Sequence, residues 1–78
     1  MATVVLYSRP GCHLCDEARL VIEAVRAEIA FDLEEIDIES DDALIRAYGL
    51  RIPVVAIDGE DLFEISVRAA ALRAAVGG

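Results

Sequence analysis

From Thr3 to Ser8 the chain reads as a continuous apolar run closing on Tyr7 and Ser8, a pattern that suits a central strand covered on both faces. From Cys12 the period changes: Leu14, Ala18, Val21, Ile22, Val25 and Ile29 recur at helical spacing, with Glu17, Arg19, Glu23, Arg26 and Glu28 mostly between them. This predicts an amphipathic helix of about four turns. Phe31 to Ile38 alternates imperfectly, Glu34-Glu35 breaking the phase, as an edge strand or a bulged one does.

Ser40 is expected to cap a short second helix whose first turn carries Asp41 and Asp42 and whose end Gly49 marks, after Leu44, Ile45 and Tyr48. Ile52 to Ile57 reads as a buried strand opened by Pro53. Asp58-Gly59 is a hairpin signal leading into Leu62-Phe63-Glu64-Ile65, so these two strands are antiparallel. Ser66 is placed as the cap of a last helix over Val67 to Val76, whose alanines allow close packing, and Gly77-Gly78 ends the chain. The predicted order is strand, helix, strand, helix, strand, strand, helix. A crossover helix makes the first two strands parallel, and the hairpin adds an antiparallel pair. The expected fold is α/β: a four-stranded mixed sheet flanked by three helices.

Seventy-eight residues suffice for one domain, spanning 1–78, that buries about 60% of its unfolded surface. A hydrophobic content of 56% supplies a core without several disulfides or a structural metal. The formal charge of −8 argues against a nucleic-acid backbone or an anionic membrane as partner. The run from Glu34 to Asp42 reads as a solvated face or a docking patch for a basic protein. The N-terminus enters a strand without a basic segment or cleavage site, and no apolar run approaches spanning length, so a cytoplasmic location is expected.

That compartment changes how the only two cysteines, Cys12 and Cys15, are read. Where cellular thiols are kept reduced, a Cys-x-x-Cys pair is more often catalytic than structural. Residues three apart share a helix face, which brings the sulfurs within reach of a disulfide. Cys12 falls at the helix N-terminus, where unpaired N–H groups and the dipole stabilise a thiolate. It is therefore assigned as the attacking sulfur and Cys15 as the resolving one. Lowering a thiol pKa raises its thiolate fraction but weakens its attack, so the larger gain is in leaving: Cys12 departs readily when Cys15 attacks the mixed disulfide. Arg9 adds positive potential, and Pro10-Gly11 turns the chain into the helix.

Three other readings compete. A structural staple closing so short a ring contributes only about 2 kcal/mol. A zinc site needs about four ligands, and the chain offers two cysteines and the adjacent His13, so no metal is assigned. Two inert buried cysteines would account for neither the spacing nor the Pro-Gly turn.

The segment Tyr7-Ser8-Arg9-Pro10-Gly11-Cys12-His13-Leu14-Cys15, together with Ile52-Pro53, resembles the glutaredoxin-like branch of the thioredoxin superfamily. The likeness covers essentially the whole chain. It implies a thiol-disulfide oxidoreductase with a redox-active Cys12–Cys15 disulfide, in which Pro53 is a cis-proline facing the dithiol and the Ile52 backbone pairs with an extended substrate. Substrate contacts are placed at Arg9, His13, Arg51, Ile52 and Pro53. His13, when protonated, would favour the Cys12 thiolate, an effect partly cancelled by Asp16 and Glu17, which read as dipole partners of the helix.

Two departures bear on the electron donor. Glutaredoxins that use glutathione carry a Gly-Gly pair and acidic residues after the hairpin, where this chain has Phe63-Glu64, and Glu64 would oppose an anionic tripeptide. Arg9 and Arg51 offer partners for its carboxylates. The Trp-rich segment of glutaredoxin-like proteins served by thioredoxin reductase is missing, as the chain has no Trp. Glutathione therefore stands beside a thioredoxin-reductase-like flavoenzyme as candidate reductant, with no tightly bound cofactor expected. The substrate is a disulfide-containing protein or a small thiol compound. Two alternatives are a dimeric module holding an iron-sulfur cluster through Cys12 and glutathione, and a redox sensor or adaptor read by a partner.

Overall fold

The strand that begins the chain, β1 (Thr3–Ser8), buries Val4, Leu6 and Ser8 on one face and half-buries Val5 and Tyr7 on the other. That two-sided burial follows from its place inside the sheet. In this computed structural model, which describes residues 2–77, β1 lies between β2 (Asp32–Asp37) and β3 (Val54–Ile57), and β4 (Glu60–Glu64) completes the order β2-β1-β3-β4. The helices are α1 (His13–Glu28), α2 (Asp42–Tyr48) and α3 (Ala69–Gly77). Strands β1 and β2 are parallel, whereas β3 runs antiparallel to both β1 and β4. The expected α/β fold with a four-stranded mixed sheet and three helices is the one observed.

The core forms on one face of the sheet. There Ala18, Ile22 and Val25 of α1 pack on Val4, Leu6, Val55 and Ile57, and Leu72 of α3 joins the same cluster. Each large aliphatic side chain fully buried in this way contributes about 1.5–3 kcal/mol. The other face carries Tyr7 and Val54, neighbours in the ladder, and Tyr7 stacks on Tyr48 of α2 with ring centroids 4.3 Å apart. One helix therefore covers that side while α1 and α3 share the opposite one.

Strand β2 is an edge, and six residues pair in unbroken register with β1, from Thr3 with Asp32 to Ser8 with Asp37. Its broken alternation has another origin: Glu35 turns toward α1, where Arg19 binds it, and it also accepts from Ser8 of β1. The irregularity lies in the hairpin, between Val55 and Ala56. The hairpin turn is the expected Asp58-Gly59, both at positive φ.

Two helix starts differ from expectation. Ser40 does not cap α2: it ends a single 3-10 turn (Ile38–Ser40), where its hydroxyl donates to the Asp37 carbonyl. Asp41 caps instead, accepting from the Ala43 amide at 2.8 Å. Ser66 does not cap α3 either: Val67 is buried in the core and the helix begins only at Ala69. The helix runs one residue past its expected end at Val76, to Gly77, and Gly78 lies outside the described residues.

Candidate active site

Cys12 is the N-cap of α1. Extended backbone there (φ −88°, ψ 108°) aims its sulfur back over the first turn, where Sγ accepts from the Cys15 amide at 3.2 Å. A capping serine or aspartate makes this same contact, so the motif uses a cysteine to satisfy one of the helix's unpaired N–H groups. The two sulfurs also differ in access. Cys12 is half-buried, whereas Cys15, one turn further in, is wholly buried. The two are joined by a disulfide, with Cα atoms 5.2 Å apart.

Positive φ at Gly11 (76°) lets the loop turn from β1 into this cap. The Arg9 guanidinium donates to Glu39 at 2.9 Å. His13 is exposed, its Nε2 3.9 Å from Glu17, and Asp16 lies in the first turn of α1. The Cys12 sulfur thus sits at the positive end of the helix, with Asp16 and Glu17 as acidic side chains in and next to the first turn.

The Ile52–Pro53 bond is cis, as the resemblance implied. Tyr7 pairs with Val54 in the ladder, so Pro53 follows opposite Ser8, at the end of the sheet where the chain leaves for Cys12. Pro53 is buried and Ile52 partly exposed. Arg51 is committed to its own chain: Nε donates to Glu64 at 2.7 Å, Nη1 donates to the Ala47 carbonyl at 3.1 Å, and the guanidinium lies 5.4 Å from the Tyr48 ring centroid. Asp61 lies 3.8 Å from it, and these carboxylates raise its pKa, Glu64 foremost. The structure thus gathers Arg9, Cys12, His13, Cys15, Ile52 and Pro53 at one end of the sheet and holds Arg51 by α2 and β4.

Three features were not foreseen. In the first, Glu35 accepts both a Ser8 hydroxyl bond of 2.8 Å and two bonds from Arg19, which also binds Asp16. The Arg19 guanidinium, above all, holds the Glu35 carboxyl below its ordinary range, and Arg19 is raised in return. The phase break at Glu34-Glu35 was the signal for it. In the second, burial first and the neighbouring Tyr7 next raise the Tyr48 phenol above its ordinary range. The third is Ile65, a β-branched residue at φ 71°, its amide donating to the carbonyls of Arg51 (3.2 Å) and Pro53 (2.8 Å). Left-handed backbone at such a residue costs about 1–3 kcal/mol, and nothing in its local pattern announces it.

Two depressions flank the dithiol. One of about 350 Å³ runs from Arg9, Pro10 and Gly11 past Arg19 to Glu35 and Asp37; within it Arg19 binds Asp16 and Glu35, and Arg9 binds Glu39 outside it. The other, of about 210 Å³, is an apolar groove bounded by Leu14, Ala18, Val21, Ile65 and Val67. Glu17 is its charged member among the described residues. No three His, Cys, Asp or Glu side chains among the described residues cluster as a metal would require.

A mixed sheet with helices on both faces, a Cys-x-x-Cys pair at a helix start and a cis-proline on the neighbouring strand define a thioredoxin-fold protein with a dithiol site. Within that class, the model of the glutaredoxin-like domain (DUF836) matches residues 3–77, and the chain belongs to that family. Among solved structures it is similar to target protein XcR50 from X. campestris, at 37% identity and a TM-score of 0.80, covering 95% of each chain. It is also similar to protein Ne2328 from Nitrosomonas europaea, with 28% identity, a TM-score of 0.83, and coverage of 96% of this chain and 91% of that one. A mutant thioredoxin from Halobacterium salinarum shares the fold at 24% identity and a TM-score of 0.70, with 96% of this chain and 71% of that one covered. No curated protein matches the chain. A glutaredoxin-like fold carrying a Cys12–Cys15 disulfide fits a redox role.

Proposed function

We propose that the protein is a thiol-disulfide oxidoreductase that reduces disulfides with Cys12 as nucleophile and Cys15 as resolving thiol. In the reduced protein the Cys12 thiolate attacks one sulfur of the substrate disulfide, forming a mixed disulfide and expelling one substrate thiolate. Cys15, giving up its proton, attacks the Cys12 sulfur, restores the Cys12–Cys15 bond and releases the second thiolate. Two electrons pass to the substrate; the Cys15 proton and one from solvent, equivalent to the one Cys12 lost on ionising, protonate the two released sulfurs. A thiol donor, glutathione or a thioredoxin-reductase-like flavoenzyme, returns the dithiol. The Ile52-Pro53 backbone is assigned to align an extended substrate.

The observation that carries this reading is the difference between the two sulfurs: Cys12 is partly exposed and capped onto the helix amides, while Cys15 is fully buried behind it. Cys15→Ser treated with bis(2-hydroxyethyl) disulfide should accumulate a stable one-to-one adduct by intact mass, and Cys12→Ser should not. An adduct on Cys15 in the Cys12→Ser protein, or none on either, would overturn the assignment. Equilibration with glutathione then separates the donors. A potential near about −270 mV indicates a thioredoxin-like position, and one near about −200 mV a glutaredoxin-like one.

A further inference from the structure

Resting on the oxidoreductase reading, we propose that the groove between Leu14 and Ile65 selects the substrate: a disulfide in an extended polypeptide whose cysteine is flanked by an apolar side chain and a cationic one, in preference to glutathione disulfide. Leu14 stands between the two cysteines, so the groove opens beside the reacting sulfurs. Its far wall, Ile65, hangs from the Pro53 carbonyl, on the segment assigned to align the substrate backbone. Leu14 is 44% exposed and Ile65 45%. Both present apolar surface to solvent and line one depression, unlike singly scattered surface hydrophobes.

Ile65 carries the argument furthest. A β-branched residue is held in left-handed backbone that glycine would adopt freely, yet nearly half its side chain stays outside the core. Strain kept at an exposed position beside a reactive group is accounted for by what the side chain touches when substrate arrives. The volume, about 210 Å³, is below that of a typical small-molecule site and suits one side chain.

Charge chooses the flank. Glu17 lines the groove, with the His13 imidazole 3.9 Å from its carboxylate. Arg9 and Arg51, the cations expected to receive glutathione carboxylates, are bound to Glu39 and to Glu64 with Asp61. Glutathione disulfide would bring carboxylates to an acidic rim and leave the apolar groove unfilled, whereas a peptide with Leu and Arg around its cysteine meets both features.

The test uses protein reduced with dithiothreitol and desalted, with second-order rates normalised to those of free dithiothreitol on the same disulfide to remove intrinsic reactivity. The probes are bis(2-hydroxyethyl) disulfide, glutathione disulfide and the homodisulfides of two peptides, Ala-Leu-Cys-Arg and Ala-Ser-Cys-Asp. The expected result is a normalised rate on the Leu-Cys-Arg disulfide about tenfold above those on glutathione disulfide and the Ser-Cys-Asp disulfide. Ile65→Gly should lower that ratio to about threefold or less, and Glu17→Gln should narrow the gap to the two anionic probes. Equal normalised rates on all disulfides overturn the groove while leaving the dithiol reading in place. Failure to reduce even bis(2-hydroxyethyl) disulfide overturns the dithiol reading, and the groove with it.

Discussion

The amide of Ile65 donates to the carbonyl of Pro53 at 2.8 Å, locking the residue after β4 onto the cis-proline that precedes β3. The same amide reaches Arg51, so one strained residue anchors the segment from Arg51 to Pro53. Because the bond is made by the backbone, the side chain is free to vary without breaking the clasp.

Replacing Ile65 by glycine should therefore leave the protein as stable or more so, by up to about 1 kcal/mol, relief of left-handed strain outweighing the entropy glycine adds to the unfolded chain. Urea denaturation of the oxidised protein measures this. A loss above about 1 kcal/mol would mean that Ile65 packing supports the fold more than its backbone strains it.

The Cys12 sulfur, which accepts from the Cys15 amide at 3.2 Å in the disulfide form, is expected to cap the helix in the reduced protein as well. In a Cys15→Ser background, Cys12→Ser should exceed Cys12→Ala in stability by about 1 kcal/mol, because the serine hydroxyl accepts from the first-turn amides and alanine cannot. Matched denaturation midpoints for the two proteins would remove capping from the account of the motif.

The Arg19, Glu35 and Ser8 cluster should make stability depend on acid. The folded Glu35 carboxyl lies below its ordinary value of 4.5, so the native state holds that proton more weakly than the unfolded chain. Its contribution is complete above that value and disappears as pH falls through the lower folded one. Both Glu35 and Arg19 are about one-third exposed, at 38% and 32%, and solvent screening keeps the effect of Glu35→Gln to about 0.5–1 kcal/mol at neutral pH. The difference from wild type, followed by denaturation from neutral pH to about 2, should shrink toward zero; a constant difference would point to packing instead of charge.

Leu72 is the buried residue of α3 among its described positions, so the helix depends on it to dock. Leu72→Ala should cost about 2–4 kcal/mol, a large share of the total for so small a domain. Amide exchange in α3 should accelerate ahead of that in β1. Uniform acceleration would show that α3 melts only with the whole fold.

Much of the site was legible because its parts are local. The four positions from Cys12 to Cys15 place two sulfurs on one helical turn wherever that turn goes, and the shift of hydrophobic period at Cys12 locates the helix start. Asp58-Gly59 marks its hairpin for the same reason: positive φ is a property of those residues and not of their surroundings. The cap positions were less legible, since Ser40 and Asp41 are both competent. Asp41 became the cap because the Ser40 hydroxyl is used by the turn before it. Arg51 was read as a free cation beside Pro53, and only the hairpin's return brought Glu64 and Asp61 to it.

By itself the chain determined the order of its elements, the pairing of two cysteines one helical turn apart and an acidic surface, all of which follow from spacing, period and composition. The tertiary structure decided what stands around those sulfurs: Glu35 drawn under Arg19, Arg9 bound to Glu39, and Ile65 pinned beside Pro53. Those pairs lie far apart along the chain, and a contact that depends on how strands and helices dock is written in no single stretch of residues.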